Sequence, residues 1–281
     1  MAIDKVAGTA WADLSKISDV AKAGIAKVAG RDVPASGPAP FFNLDAQEST
    51  SYSGSGTTWT DIAGGNNVTL RNGPVFTNNQ STSGTPSYFT WDGVDDYADD
   101  GTSLTGWDST DSWTFEFWFS MTARLSSTGY IYTIYTKGNS NSTPGVSMGM
   151  RGGAPYYGTL FRFSTTGGYN EAYPSSNIIS SINDGNWHQF IFTKDAGSGT
   201  TPKFYMDGSN VSLTTMQGGS TPKTLDKNYN NTDTLYISNY RGTGNYEFNG
   251  KLAAIRWYGS YFDATQALNN YNAQKGAYGI T

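Results

Sequence analysis

Two phrases decide the fold: Asp184-Gly185-Asn186-Trp187-His188, which opens an aromatic run, and Phe204-Tyr205-Met206-Asp207-Gly208, which closes the next one. Each couples large flat side chains to an Asp-Gly pair. Glycine reaches turn dihedrals without a Cβ penalty, and an adjacent aspartate bonds local backbone amides. The pair therefore predicts strand, turn and strand rather than helix. Trp187, and Trp257 further on, are expected to fill the interior between two sheets.

The same grammar extends outward. Trp113, Phe115, Phe117 and Phe119 alternate with Thr114, Glu116, Trp118 and Ser120, a period of two that gives one ring-rich face to the core. Further strands are expected at 68–71, 87–92, 130–136, 146–151, 159–164, 187–194, 203–206, 234–238 and 251–258, separated by Asn-Gly, Asp-Gly and Gly-Gly, as hairpins and loops require. Asp263 followed by Gln266 forms a capping-box pattern that opens a short helix presenting Leu268 and Tyr271 to the sandwich.

The composition agrees with this reading. The chain has 281 residues with Gly 34, Trp 8, Tyr 19 and Phe 14, enough for one large sandwich with a ring-filled core and an additional N-terminal piece. A formal charge of −5 without a Lys/Arg cluster argues against a nucleic-acid partner. Cys 0 excludes disulfides and thiolate metal sites. No apolar run approaches the ~18–20 residues of a membrane span, and Asp4, Asp13, Lys16 and Asp19 stand where a signal peptide needs unbroken apolar sequence. Neither membrane insertion nor export by a leader is expected.

Residues 1–33 differ from the rest. Leu14, Ile17, Ala21, Ile25 and Val28 share one helical face, although Gly24 weakens a helix and an extended docking segment is the competing reading. Trp11, Leu14, Ile17, Ile25 and Val28 are the expected docking residues of an anchor. Residues 34–40 carry three prolines, Pro34, Pro38 and Pro40, and read as an extended linker; the domain follows over 41–281.

Several phrases then align with a known family. Leu44-Asp45, Trp59-Thr60-Asp61, Phe89 through Asp92-Gly93-Val94-Asp95-Asp96-Tyr97, Asp184 to His188, Tyr205 to Gly208, and Phe248-Asn249-Gly250-Lys251 leading to Ile255-Arg256-Trp257-Tyr258 resemble, in order, the strand and turn phrases of laminin-G-like domains of bacterial and phage proteins. The resemblance covers roughly 41–281 and implies an all-β, concanavalin A-like (laminin-G-like) jelly-roll sandwich with a short N-terminal anchor segment. It implies fold strongly and function weakly. The leader from Trp11 to Lys22 resembles the start of tailed-phage structural proteins, especially those of phages infecting marine bacteria.

Four chemistries are open to these residues. Gly145-Val146-Ser147-Met148-Gly149 matches the Gly-x-Ser-x-Gly elbow, but Val146 and Met148 read as alternate core residues of a strand, and the required strand-to-helix turn is missing. A retaining or inverting glycosidase needs two carboxylates at set spacing; Glu116 stands alone between rings. The acidic group Asp92, Asp95, Asp96, Asp99 and Asp100 offers oxygen ligands for Ca²⁺, with Asp95 and Asp96 favoured by the resemblance. Tyr156, Tyr157, Tyr169, Tyr240 and Tyr246, with Tyr130 and Tyr173, have the flat ring and polar tip that stack on sugars.

The expectation is a non-enzymatic virion structural protein, a capsid decoration or fibre-like module docked through residues 1–33 to other virion proteins, forming a homo-oligomer and located in the virion. A carbohydrate-binding adhesin or tail-fibre module recognising host surface glycan is the alternative, and a polysaccharide-active glycosidase the second alternative. No cofactor is required, with Ca²⁺ as the possible ion.

Overall fold

The structure, a computed structural model, describes residues 27–28, 31–32, 38–80, 82–101, 111–122, 131–137, 145–151, 158–165, 168–196, 202–218, 234–239 and 247–281. Strands β1 (Lys27–Val28) and β2 (Arg31–Asp32) pair as a small antiparallel ladder, Val28 opposite Arg31. At Val28, then, the extended reading of the N-terminal piece applies rather than the helical one. Trp11, Leu14, Ile17 and Ile25 lie outside the described residues.

The strands that follow are β3 (Phe42–Asp45), β4 (Thr58–Trp59), β5 (Val68–Arg71), β6 (Val75–Thr77), β7 (Tyr88–Asp92), β8 (Tyr97–Asp99), β9 (Trp113–Ser120), β10 (Ile131–Lys137), β11 (Gly145–Arg151), β12 (Gly158–Thr165) and β13 (Gly168–Pro174). After the short helix α1 (Ile179–Ile182) come β14 (Trp187–Lys194), β15 (Lys203–Met206), β16 (Ser209–Val211), β17 (Leu213–Gly218), β18 (Leu235–Ile237) and β19 (Asn249–Tyr258). Helix α2 (Ala264–Gln274) and a 3₁₀ turn (Lys275–Tyr278) end the series.

These strands build two antiparallel sheets. One runs β17-β13-β12-β11-β10-β18-β8-β5-β4, the other β16-β15-β14-β9-β19-β7-β6, with β3 alongside β19. The expected all-β jelly-roll sandwich is what is found. Between the sheets lie the fully buried Trp59, Trp91, Trp113, Trp257, Phe42, Phe89, Phe115, Phe117 and Phe119, so the ring-rich composition is spent on the interior. Rings such as Phe115 and Trp257, with centroids 4.1 Å apart, interlock there.

The alternation read from 113–120 is correct, but its second face is also covered: all eight residues are buried. Helix α2 and the 3₁₀ turn lie across that outer face. Tyr278 stacks on Trp118 at 3.8 Å with planes 6° apart, and Tyr271 at 5.9 Å and 13°. The helix opens as expected, with Asp263 and Gln266 exchanging both bonds of the capping box. Tyr271 meets the sheet; Leu268 does not enter it, but rests over the Gly208 turn and stays exposed. Trp187 is likewise outside the interior, against Tyr88 and Tyr278 on the outer face.

Register sorts the connections onto two ends. Pairing of Asn249 with Asp92, Trp187 with Ser120, Lys251 with Ser120, Arg151 with Gly158 and Arg71 with Tyr97 places the turns at 72–74 and 92–96, the strand ends at Ser120, Arg151 and Gly158, the turn before Trp187 and the segment entering Asn249 at one end. That end is the rim of the sandwich.

Candidate functional site

At the rim, β7 delivers Asp92 into a turn that only glycine can continue. Gly93 has φ +72°, and a Cβ on it would stand 2.6 Å from the Asn249 Cβ. The Asp92 Oδ1 accepts from the backbone N–H of Val94 at 2.8 Å and of Asp95 at 3.4 Å, while the Asp96 Oδ2 accepts from the Asp92 N–H at 3.1 Å. Two amides frame the turn: Asn72 Nδ2 donates to the Asp95 carbonyl at 2.8 Å and Asn249 Nδ2 to the Asp92 carbonyl at 3.1 Å.

Carboxylate oxygens of Asp92, Asp95 and Asp96 consequently come within 4.8 Å of one another. Asp92 and Asp95 are exposed and Asp96 is buried; burial, together with the charges of Asp92 and Asp95, pushes the Asp96 carboxyl above the usual range, partly offset by its backbone hydrogen bond. Three hard oxygen donors suit Ca²⁺ as part of the 6–8 ligands it takes. The other two acidic residues separate from the trio: Asp99 pairs with Arg71 Nε at 2.7 Å and the Asp100 Oδ1 accepts from the Leu235 N–H.

The roots of a second rim connection are pinned. Ser238, with φ +62° and fully buried, accepts the Phe248 N–H on its Oγ at 3.0 Å, and Asn239 Nδ2 reaches the Glu247 Oε1 at 3.5 Å. A non-glycine residue held at positive φ costs free energy that the surroundings must supply. Tyr240 and Tyr246 belong to the connection rooted here, and Tyr156 and Tyr157 to that rooted at Arg151 and Gly158; these four tyrosines, and Tyr130, lie outside the described residues. Tyr169 occupies a different place, in β13 opposite Ser164 and Gly218, next to the hairpin end away from the rim. Tyr173 is buried in β13.

His188 also stands at the rim. Its Nδ1 lies 2.8 Å from the Asp207 Oδ2 and its Nε2 3.1 Å from the Asp184 Oδ1. Burial opposes charge on the ring, but the hydrogen bonds and charges of the two aspartates prevail and hold its pKa above the ordinary value. The Gly-x-Ser-x-Gly stretch has no share in this. Ser147 sits mid-strand in β11, laddered with β10 and β12, and Val146 and Met148 face the core as expected.

Glu116 is not alone. It is fully buried under α2 and accepts from Arg256 Nη1 at 2.7 Å, the Tyr258 hydroxyl at 2.7 Å, and the Gln189 and Asn270 side-chain amides, each at 3.2 Å. Arg256 also donates to Asp45 through Nη2 and to the Gln274 Oε1 through Nη1, and Gln274 accepts the Trp118 Nε1–H at 2.8 Å. Burial works against the guanidinium charge, yet Glu116 and Asp45 keep its pKa well above the usual value. Glu116 and Asp45 thus converge on one cation beneath a helix, Glu116 fully buried and Asp45 nearly so. Sequence reasoning missed this network, and it missed the framing roles of Asn72 and Asn249 and the His188 pair of aspartates; the Asn-Gly pairs at 72–73 and 249–250 were the local signals of a framed turn.

Two antiparallel sheets with rim connections define a lectin-type sandwich. The chain belongs to the concanavalin A-like lectin/glucanase superfamily: the Laminin_G_3 family model matches residues 92–267. Among solved structures, the chain is similar to domain 4 of AbnA, a GH43 extracellular arabinanase from Geobacillus stearothermophilus, in complex with arabinotriose, at 12% identity and TM-score 0.55, covering 83% of this chain and 98% of that one. It is also similar to the binding domain of paraclostridial mosquitocidal protein 1, at 10% identity and TM-score 0.56, with 83% of this chain and 52% of that chain covered. The botulinum neurotoxin type G receptor binding domain matches at 13% identity and TM-score 0.51, with 84% of this chain and 51% of that one covered. The chain spans about half the length of those two toxin domains. None of the curated proteins is similar enough in sequence to count as a relative. Among the described residues, no helix is long and apolar enough to cross a membrane.

Proposed function

We propose that this domain is a non-catalytic glycan-recognition module that binds through its rim. The observation that carries the reading is convergence: the acidic turn 92–96, its framing amides Asn72 and Asn249, and the pinned roots of the tyrosine-bearing connections 152–157 and 240–246 share one end of the sandwich. Amides and carboxylates supply directional bonds to hydroxyls, and tyrosine rings supply the apolar face that a sugar stacks on. A domain of this fold solved with arabinotriose supports the reading. The test is a glycan array followed by titration calorimetry with the full chain. Asn249→Ala and Tyr156→Ala/Tyr157→Ala are expected to weaken binding about tenfold, roughly 1.4 kcal/mol, whereas Tyr169→Ala at the far end leaves it unchanged. Equal loss in all three variants would remove the rim from consideration.

Calcium at Asp92, Asp95 and Asp96 is part of the same proposal. For an affinity near 10 µM, 1 mM Ca²⁺ would stabilise the fold by about 2.7 kcal/mol, a rise in melting midpoint of roughly 5 °C for a domain of this size. Asp95→Asn/Asp96→Asn should abolish that rise; a midpoint indifferent to Ca²⁺ and EGTA in the unaltered chain would refute the ion.

The wider setting we propose is a virion, with residues 1–33 docking to other virion proteins, 34–40 as spacer, and oligomerisation multiplying weak single-site glycan contacts into durable attachment to a host surface. The leader's likeness to tailed-phage structural proteins supports it. Mass spectrometry and immunogold labelling of purified particles test it, together with a chain lacking 1–33, which should fold and yet not join the particle.

A further inference from the structure

We propose that His188, the single histidine of the chain, is a proton-operated latch that clasps two rim turns, Asp184-Gly185 and Asp207-Gly208, when protonated and releases the first of them when neutral. The geometry requires the proton. Both ring nitrogens face carboxylate oxygens, at 2.8 Å and 3.1 Å, and a carboxylate can only accept. An imidazolium donates to both; a neutral ring has one N–H, so its other nitrogen turns a lone pair toward an oxygen lone pair.

The two turns are unequally held. Asp207 accepts the Gln189 N–H on its other oxygen at 2.8 Å and donates its own N–H to the Gln189 carbonyl at 3.0 Å, so it stays on β14 whatever the ring does. Among the described residues the Asp184 side chain bonds otherwise only within its own turn, to the N–H of Asn186 at 2.8 Å and to the Asn186 Nδ2 at 2.7 Å. His188 is what ties that carboxylate to the sheet. The same turn continues into Gly185, whose carbonyl accepts the Ser120 hydroxyl at 2.8 Å and whose N–H reaches the Met121 carbonyl at 3.0 Å. Release of Asp184 therefore leaves these two bonds, to Ser120 and Met121 at the end of β9, as the turn's remaining ties to the sheet.

The groups facing His188 are few. From the β15–β16 turn comes Asp207, from the turn before β14 Asp184, and from β9 the uncharged Phe119 ring; on α2, Tyr271 interacts with Asp207 and has its hydroxyl pushed up by burial and by that charge. Among the described residues no other cation pairs with either aspartate. Both carboxylates favour the charged ring and hold its pKa up, so the clasp persists through mildly acidic pH and opens as pH rises through the folded-state value.

Because the chain has one histidine, the test needs no assignment by mutation. NMR of the full chain across pH 5 to 9 should show the imidazole Cε1 titrating with a midpoint above the ordinary value of about 6.5, and the Gly185 and Asp207 amide shifts following it. In Asp184→Asn the midpoint should fall, and the Gly185 amide should cease to follow while that of Asp207 continues. A midpoint at or below 6.5 in the unaltered chain, or a Gly185 amide that ignores the transition, overturns the latch even if the variant proves unfolded. The readout uses no ligand, so failure to find a glycan at any pH would count against the proposed function alone.

Discussion

Replacing Arg256 with methionine is expected to cost about 3–5 kcal/mol, the range for leaving a buried charge without its partner. Against a total stability of about 5–15 kcal/mol typical of a domain, that is a large fraction of the whole, and the melting midpoint should fall clearly. The reason is the arrangement under α2: Glu116 is fully buried, Asp45 nearly so, and among the described residues Arg256 is the one cation bonded to both. Neutral donors remain on Glu116, from Tyr258, Gln189 and Asn270, but none carries charge. Adding Glu116→Leu to Arg256→Met should recover more than half of the loss, since the pair is then replaced by apolar volume and Asp45 keeps the Gln47 N–H. Urea denaturation of the two single variants and the double variant measures the coupling; additive losses would show that Arg256 and Glu116 do not act together.

Trp118→Ala ranks second, at about 3–5 kcal/mol. Trp118 is fully buried, packs near-parallel to the rings of both Tyr271 and Tyr278, and donates its indole N–H to Gln274. Truncation empties the space on which α2 and the 3₁₀ turn rest. Trp118→Phe keeps an aromatic surface and loses mainly the Gln274 bond, so about 1 kcal/mol is expected. Hydrogen exchange should show the amides of 264–278 losing protection in Trp118→Ala well before those of β9 and β14. Uniform loss across the domain would mean that the helix and the sheet unfold as one unit.

Sequence pattern alone located strands where rings alternate between turn residues. The expected 187–194 and 203–206 coincide with β14 and β15, and 68–71 with β5. It passed over β13, β16 and β17, which read Gly-Tyr-Asn-Glu-Ala-Tyr-Pro, Ser-Asn-Val and Leu-Thr-Thr-Met-Gln-Gly. Such segments have weak propensity of their own; cross-strand neighbours hold them in place. Trp187 was misplaced although the period was there to be used: Phe190 and Phe192 face the core, so Trp187, Gln189 and Ile191 must face outward, which is where α2 covers them. The acidic turn was legible because its glycine and aspartates are contiguous. The Glu116 network was not, since its members come from β3, β9, β14, β19 and α2, and no window of sequence contains more than a part of it.

The position of β19 bears on how the chain acquires its fold during synthesis. This strand lies inside the eight-stranded sheet, with β9 on one side and β7 and β3 sharing the other, so that Asp45 pairs opposite Ala254. A ribosome that has delivered β3, β7 and β9 has made strands whose neighbour does not yet exist. Two aromatic, hydrogen-bonding edges must wait, exposed, until residue 258 clears the exit tunnel. Nascent chains of this domain are therefore natural clients for holding chaperones, and a message cut short before that codon yields an aggregation-prone fragment rather than a smaller domain.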